Sequence, residues 1–124
     1  MDKNILVRNG GFLAKAMDNA NFIPRIVMWV HTLETDTWKL WIVPPKGFTD
    51  KRAFYRRIAE IISSNRDQLA GLDISDTEMV LDTHPAMKGI GKFIKAVGIS
   101  SIFFSGNSFN NFYLPDGIII RSNL

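Results

Sequence analysis

The sequence predicts one α+β domain over residues 1–124, with two layers. A largely antiparallel sheet, made of an N-terminal hairpin and a C-terminal β-meander, carries two or three helices packed on one face. Three observations predict it. Residues 25–43 hold two β-branched and aromatic runs around a polar connection. Residues 50–64 repeat apolar side chains at helical spacing. The tail from Ile99 alternates strand-like runs with glycine and proline turn signals. Helices laid against one face of an antiparallel sheet satisfy such an order of elements.

The first element is a helix from about Gly11 to Ala20, with Asn9 as its cap and Phe12, Leu13, Ala16 and Met17 on one side. The hairpin follows. Arg25–His31 and Thr37–Val43 alternate faces, and Leu33-Glu34-Thr35-Asp36 connects them. Alternation groups Ile26, Met28, Val30, Trp38, Leu40 and Ile42 on an apolar core face. The opposite face is mixed: Arg25, Val27, Trp29, His31, Lys39, Trp41 and Val43. Pro44-Pro45 ends the second strand, because proline cannot donate to the ladder.

Thr49 is the predicted cap of a helix over about residues 50–64, with Phe54, Ile58, Ile61 and Asn65 in register and Arg52 and Arg56 on the far side. Gly71 closes that region. A short strand spans Glu78–Leu81. Thr83 then caps a helix from Pro85 to about Val97, with Pro85 at its first position and Gly98 as its stop. Met87, Ile90, Ile94 and Val97 share one face of this helix, and Lys88, Lys92 and Lys95 another. Gly89 and Gly91 weaken it, or admit a close neighbour. In the tail, Ile99–Ser105, Phe109–Leu114 and Ile118–Arg121 read as strands, joined by turns at Gly106-Asn107 and Pro115-Asp116-Gly117.

Composition narrows the function classes. The chain of 124 residues is 46% hydrophobic and 22% charged, enough apolar material for a real core. It has no cysteine, which excludes disulfides, thiolate metal sites and cysteine nucleophiles and fits a cytoplasmic location. Neither a secretory leader nor a membrane span is visible, so no membrane association is expected. Net charge is +3 and unevenly distributed. Seven bases between Lys39 and Arg66 face only Asp50 and Glu60. Five acids follow from Asp67 to Asp82, and Lys88, Lys92 and Lys95 come after them. Such blocks pair internally, sit in solvent, or present a bipolar surface to a partner.

Three partial catalytic motifs stand in the chain, and none is complete. Asp82-Thr83-His84 after a strand matches the opening of two-metal phosphoesterase sites, but only one other histidine, His31, exists, and Gly106-Asn107 is followed by Ser108. Lys88-Gly89-Ile90-Gly91-Lys92 lacks the phosphate-loop spacing, and Phe93 stands where a hydroxyl is needed. No nucleophile elbow occurs. Asp73, Asp76, Glu78, Asp82 and His84 form an oxygen-rich segment that suits a hydrolase metal only if at least three converge; otherwise Asp73, Ser75 and Asp76 bond nearby backbone. No cofactor is expected, and no catalytic, cofactor-binding or metal residue is assigned.

Three surfaces remain. The first is Trp29, His31, Lys39 and Trp41 on the mixed hairpin face, where tryptophan suits a protein-binding hot spot unless the N-terminal helix covers it. The second is the basic set Arg52, Arg56, Lys88, Lys92 and Lys95, a nucleic-acid patch if the two helices adjoin, or a solvated surface with Arg56 paired to Glu60. The third is the aromatic stretch Phe103–Tyr113. It has no lysine or arginine, so it predicts a packed sheet edge or a homodimer formed by edge pairing rather than base stacking. The expected function is a small non-enzymatic binding or regulatory protein (an inhibitor, adaptor or immunity-type protein) acting on another protein. A nucleic-acid-binding domain is the alternative, and a metal-assisted hydrolase the second alternative.

Overall fold

In the structure, a computed structural model describing residues 2–124, the elements run α1 (Lys3–Asn19), β1 (Ile26–Thr32), β2 (Thr37–Val43), α2 (Lys51–Ser64), α3 (Arg66–Leu69), β3 (Thr77–Met79), α4 (Pro85–Phe93), β4 (Ile102–Phe109) and β5 (Phe112–Ser122), with a single 3-10 turn, Ile74–Asp76, before β3. The strands make one five-stranded sheet in the order β3-β2-β1-β5-β4. All pairings are antiparallel except β2 with β3, which is parallel. The α+β plan with a mostly antiparallel sheet is therefore as predicted. No helix among the described residues is long and apolar enough to cross a membrane.

The two faces of the sheet carry separate cores. Val27, Trp29, Leu40, Ile42, Ile118 and Ile120 pack with Leu6, Leu13 and Met17 of α1 and Phe54, Ile58 and Ile61 of α2. Leu69, which ends α3, joins this same core. The other face, with Ile26, Met28, Val30, Val43 and Ile119, packs against Ala86, Met87 and Ile90 of α4 and against Phe109 and Leu114. Helices α1–α3 thus share one face, and α4 covers part of the other.

Register corrects the grouping of side chains on the hairpin. Opposed residues lie on the same face of a sheet. Trp29 is opposite Leu40, Val30 opposite Lys39, and Met28 opposite Trp41. Trp29 and His31 therefore share a face with Trp38, Leu40 and Ile42, while Lys39 and Trp41 lie on the other face with Met28 and Val30. The connection is as predicted: the Thr32–Thr37 pair closes the loop, and Asp36 takes positive φ (49°).

The helix ends also move. α1 begins at Lys3, not Gly11; Asp2, not Asn9, is its cap, accepting the Asn4 N–H at 2.8 Å. Its paired glycines do not mark a start. Gly10 lies so close to the sheet that a Cβ would stand 3.0 Å from the Trp29 indole nitrogen and 3.1 Å from Ile120. The Asp50 carboxylate, not Thr49, caps α2 by accepting the Ala53 N–H.

α4 stops at Phe93, four residues short of the predicted end. Ile94 turns extended, and Ala96 exchanges backbone hydrogen bonds with Ser122 at 2.8 and 2.9 Å. Strand pairing along β5 thus overrides helical periodicity there. The tail forms two long strands where three are predicted. Its reversal is at Asn110-Asn111, both at positive φ (52° and 65°), as a two-residue hairpin turn requires. Pro115 lies inside β5, but β1 pairs with β5 no further than Gly117. The missing N–H therefore breaks no ladder on that side.

Candidate functional site

The four hairpin residues predicted as one protein-binding surface do not meet. Trp29 is 2% exposed under α1, and its indole N–H donates to the Leu6 carbonyl at 2.7 Å. Its hydrogen bond and its area are both spent inside the fold. His31, half-buried near the loop, tilts against Trp38 with 5.0 Å between ring centres and bonds Asp36 through Nε2 at 2.8 Å. The Lys39 ammonium donates to the Ser75 carbonyl. Trp41 borders an open hollow.

That hollow, of about 460 Å³, is lined by Trp41, Lys51, Glu78 and His84, with Met79, Val80, Leu81 and Thr83. The His84 ring meets Trp41 at 5.5 Å and Phe112 at 4.6 Å, edge to face in both cases. His84, not Thr83, caps α4: its Nδ1 accepts the Ala86 N–H at 3.1 Å. Accepting at Nδ1 leaves the ring proton on Nε2. Burial holds the His84 pKa below its ordinary value, and the nearby Glu78 carboxylate opposes that shift in part. The sequence signal for this arrangement was Pro85, which fits the first turn and makes its predecessor the cap.

The five bases do not form one patch. Arg52 and Arg56 are exposed on α2, over the α1 face of the sheet, whereas Lys88 and Lys92 are exposed on α4 over the opposite face. Lys95 lies beyond the end of α4. The expected Arg56–Glu60 pair is replaced by Arg57 with Glu60 at 4.0 Å, while Arg57 also donates to the Ala20 carbonyl at 2.7 Å.

The acidic segment is occupied locally. The Asp76 carboxylate accepts the Asp73 N–H at 2.9 Å, and Ser75 donates to Asp73 at 2.7 Å. That hydroxyl, with backbone N–H groups, lowers the Asp73 pKa. Asp82 pairs at 2.9 Å with Arg25, the residue just before β1. Among the described residues no three of the acidic and histidine side chains come together as a metal site. The convergence the hydrolase alternative needs is therefore missing.

The aromatic tail forms the free edge of the sheet. β4 pairs with β5 on one side only. From Ala96 to Pro115 the chain has no charged residue at all. Ile102, Phe103, Phe112 and Tyr113 are exposed, Phe103 to 51% and Tyr113 to 59%, and Val97 and Ile99 just before β4 are open as well. The other edge is different in kind. β3 is three residues long and carries the exposed Glu78. The Met79 N–H, turned away from the sheet, donates to the Tyr55 hydroxyl of α2 at 2.9 Å. A short, charged, covered strand is how proteins protect an edge; a long neutral one is unprotected.

No protein-family model, curated protein or solved structure matches this chain.

Proposed function

We propose that this protein is a binding protein that acts through direct protein–protein contact, and that the contact runs along the β4 edge. The observation that carries this reading is the contrast between the two edges. β3 is short, charged and covered by Tyr55, whereas β4 is eight residues long, uncharged and flanked by exposed aromatic and aliphatic side chains. An open strand edge offers a row of unpaired backbone groups to a partner strand, and the alternate side chains give the contact its selectivity. The nucleic-acid reading has less support, because Arg52 and Arg56 lie over one face of the sheet and Lys88 and Lys92 over the other. A photo-crosslinking residue at position 103, with another at Arg56 as control, tests the proposal in the source cells. Protein adducts at 103 and none at 56 are expected. Adducts at 56 alone would move the contact to α2 and end the β4 reading.

A further inference from the structure

Resting on that reading, we infer that the occupant of the β4 edge is a second copy of this chain, paired antiparallel across a two-fold axis. Three features argue for a copy over a foreign strand. First, the segment from Ala96 to Pro115 has no charge of its own. The two charges that stand beside β4 are of opposite sign, Lys3 over the Phe103 ring at 6.0 Å and Asp116 on the Ser105 hydroxyl at 2.7 Å. The edge therefore carries no net charge against its own copy. A charged edge would have repelled its own copy and selected a partner of opposite sign. Second, a two-fold contact uses one patch for both sides, and a neutral apolar edge is complementary to itself. Third, the other edge is closed. With β3 short and its outward Met79 N–H held by Tyr55, edge pairing ends once β4 meets β4 of the partner. A chain with two open edges would run on into filaments. This one joins two five-stranded sheets and stops.

A stable interface takes ~800 Å² per partner, more than backbone pairing alone, so side chains must be buried beside the seam. Val97, Ile99, Ile102 and Phe103 follow the edge, and Phe112 and Tyr113 stand at the hairpin tip. The test is light scattering on the purified chain across a wide concentration series, with Phe103→Lys as the edge variant. Phe103 is half exposed, so the variant should keep its circular dichroism spectrum, and Ile102→Lys serves as a second variant if it does not. The expected result is twice the 14.0 kDa chain mass for the wild type and 14.0 kDa for a folded variant.

A wild type at 14.0 kDa throughout overturns the dimer, as do higher assemblies or a dimer that both variants leave intact. The crosslinking experiment separates the two claims. A heterologous adduct at position 103 with a monomeric wild type defeats the second copy and keeps the protein-binding reading. No adduct together with a monomer defeats both.

Discussion

Arg121 on β5 holds Asp18, at the end of α1, through both terminal guanidinium nitrogens, at 2.7 and 2.8 Å across 103 residues of sequence. The Arg121 side chain is 7% exposed, and its Nε also donates to the Gly98 carbonyl at 3.3 Å. The pair therefore ties α1, the segment before β4 and the end of β5 together. A two-pronged guanidinium–carboxylate contact is among the stronger hydrogen-bonded arrangements, and removing one partner strands the other charge. Asp18→Ala is expected to cost about 2–4 kcal/mol in urea denaturation. The double change Asp18→Leu with Arg121→Met should cost less than either single one, because no unpaired charge is left behind. Additive losses would show that the pair contributes nothing as a pair.

Of the three hairpin tryptophans, Trp29 and Trp41 should differ most in what they contribute to stability. Trp29→Ala removes a buried indole and leaves the Leu6 carbonyl without its donor, for an expected loss of about 3–5 kcal/mol. Trp29→Phe keeps most of the packing and should cost about 1–2 kcal/mol through the hydrogen bond alone. Trp41→Ala, at the rim of a hollow, should be the milder of the two alanine changes. Thermal or urea unfolding of the three variants gives the ranking, and a Trp29→Ala variant as stable as the wild type would contradict the packing under α1.

Stability should also depend on the protonation of His84. Its pKa in the folded chain lies below the unfolded value of 6.5, chiefly through burial. Below 6.5 the unfolded chain therefore binds more protons than the folded one, and stability falls as pH falls. The His84 contribution is complete above 6.5 and is lost as pH drops through the lowered folded value. Protonation also removes the Nδ1 lone pair that accepts the Ala86 N–H and places a cation at a helix N-terminus. His84→Asn can still cap the helix but does not titrate. Urea midpoints of wild type and variant should converge or cross as pH falls below 6.5; parallel curves would remove His84 as the source. Asp73 is distinct, since its stabilising ionised form is lost only as pH falls below 3.8.

The elements were legible in the sequence wherever one local signal decided them. Alternation located the β1–β2 hairpin, and apolar spacing located α2. What depended on distant partners was not. Asn9 and Gly10-Gly11 have the look of a helix start, yet they sit mid-helix because Gly10 must clear Trp29 and Ile120. Periodicity continues α4 to Val97, but Ser122 draws Ala96 into strand pairing. The hairpin's faces depend on register, which alternation within each strand does not supply: Trp29 stands opposite Leu40, and so on the face away from Lys39 and Trp41. For the site, the absence of lysine and arginine from Phe103–Tyr113 already suggested a sheet edge. The closure of the opposite edge by Tyr55 was invisible, because nothing in sequence joins Tyr55 to Met79.

Gly89 and Gly98 give the sharpest contrast between local and tertiary preference. On helix propensity alone, alanine in the interior of α4 gains about 1 kcal/mol over glycine. At Gly89, however, a Cβ would stand 2.8 Å from the Asn110 nitrogen and from the Phe109 carbonyl carbon, and 2.9 Å from the Phe109 Cβ. The two nearest are backbone atoms of the β4–β5 hairpin and its turn, and the third is fixed directly to that backbone, so none can swing aside as the far end of a flexible side chain does. Either α4 lifts from the sheet or the hairpin shifts, and a net loss of about 2–3 kcal/mol is expected for Gly89→Ala. At Gly98 no heavy atom lies within 4 Å of the corresponding position, and φ is not positive. Gly98→Ala should therefore be neutral, or stabilise by up to about 1 kcal/mol by narrowing the unfolded ensemble. Urea denaturation of the two variants reads both signs. A Gly89→Ala variant as stable as the wild type would mean that α4 does not rest on the β4–β5 hairpin, and with it the packing that presents the free β4 edge would have to be redrawn.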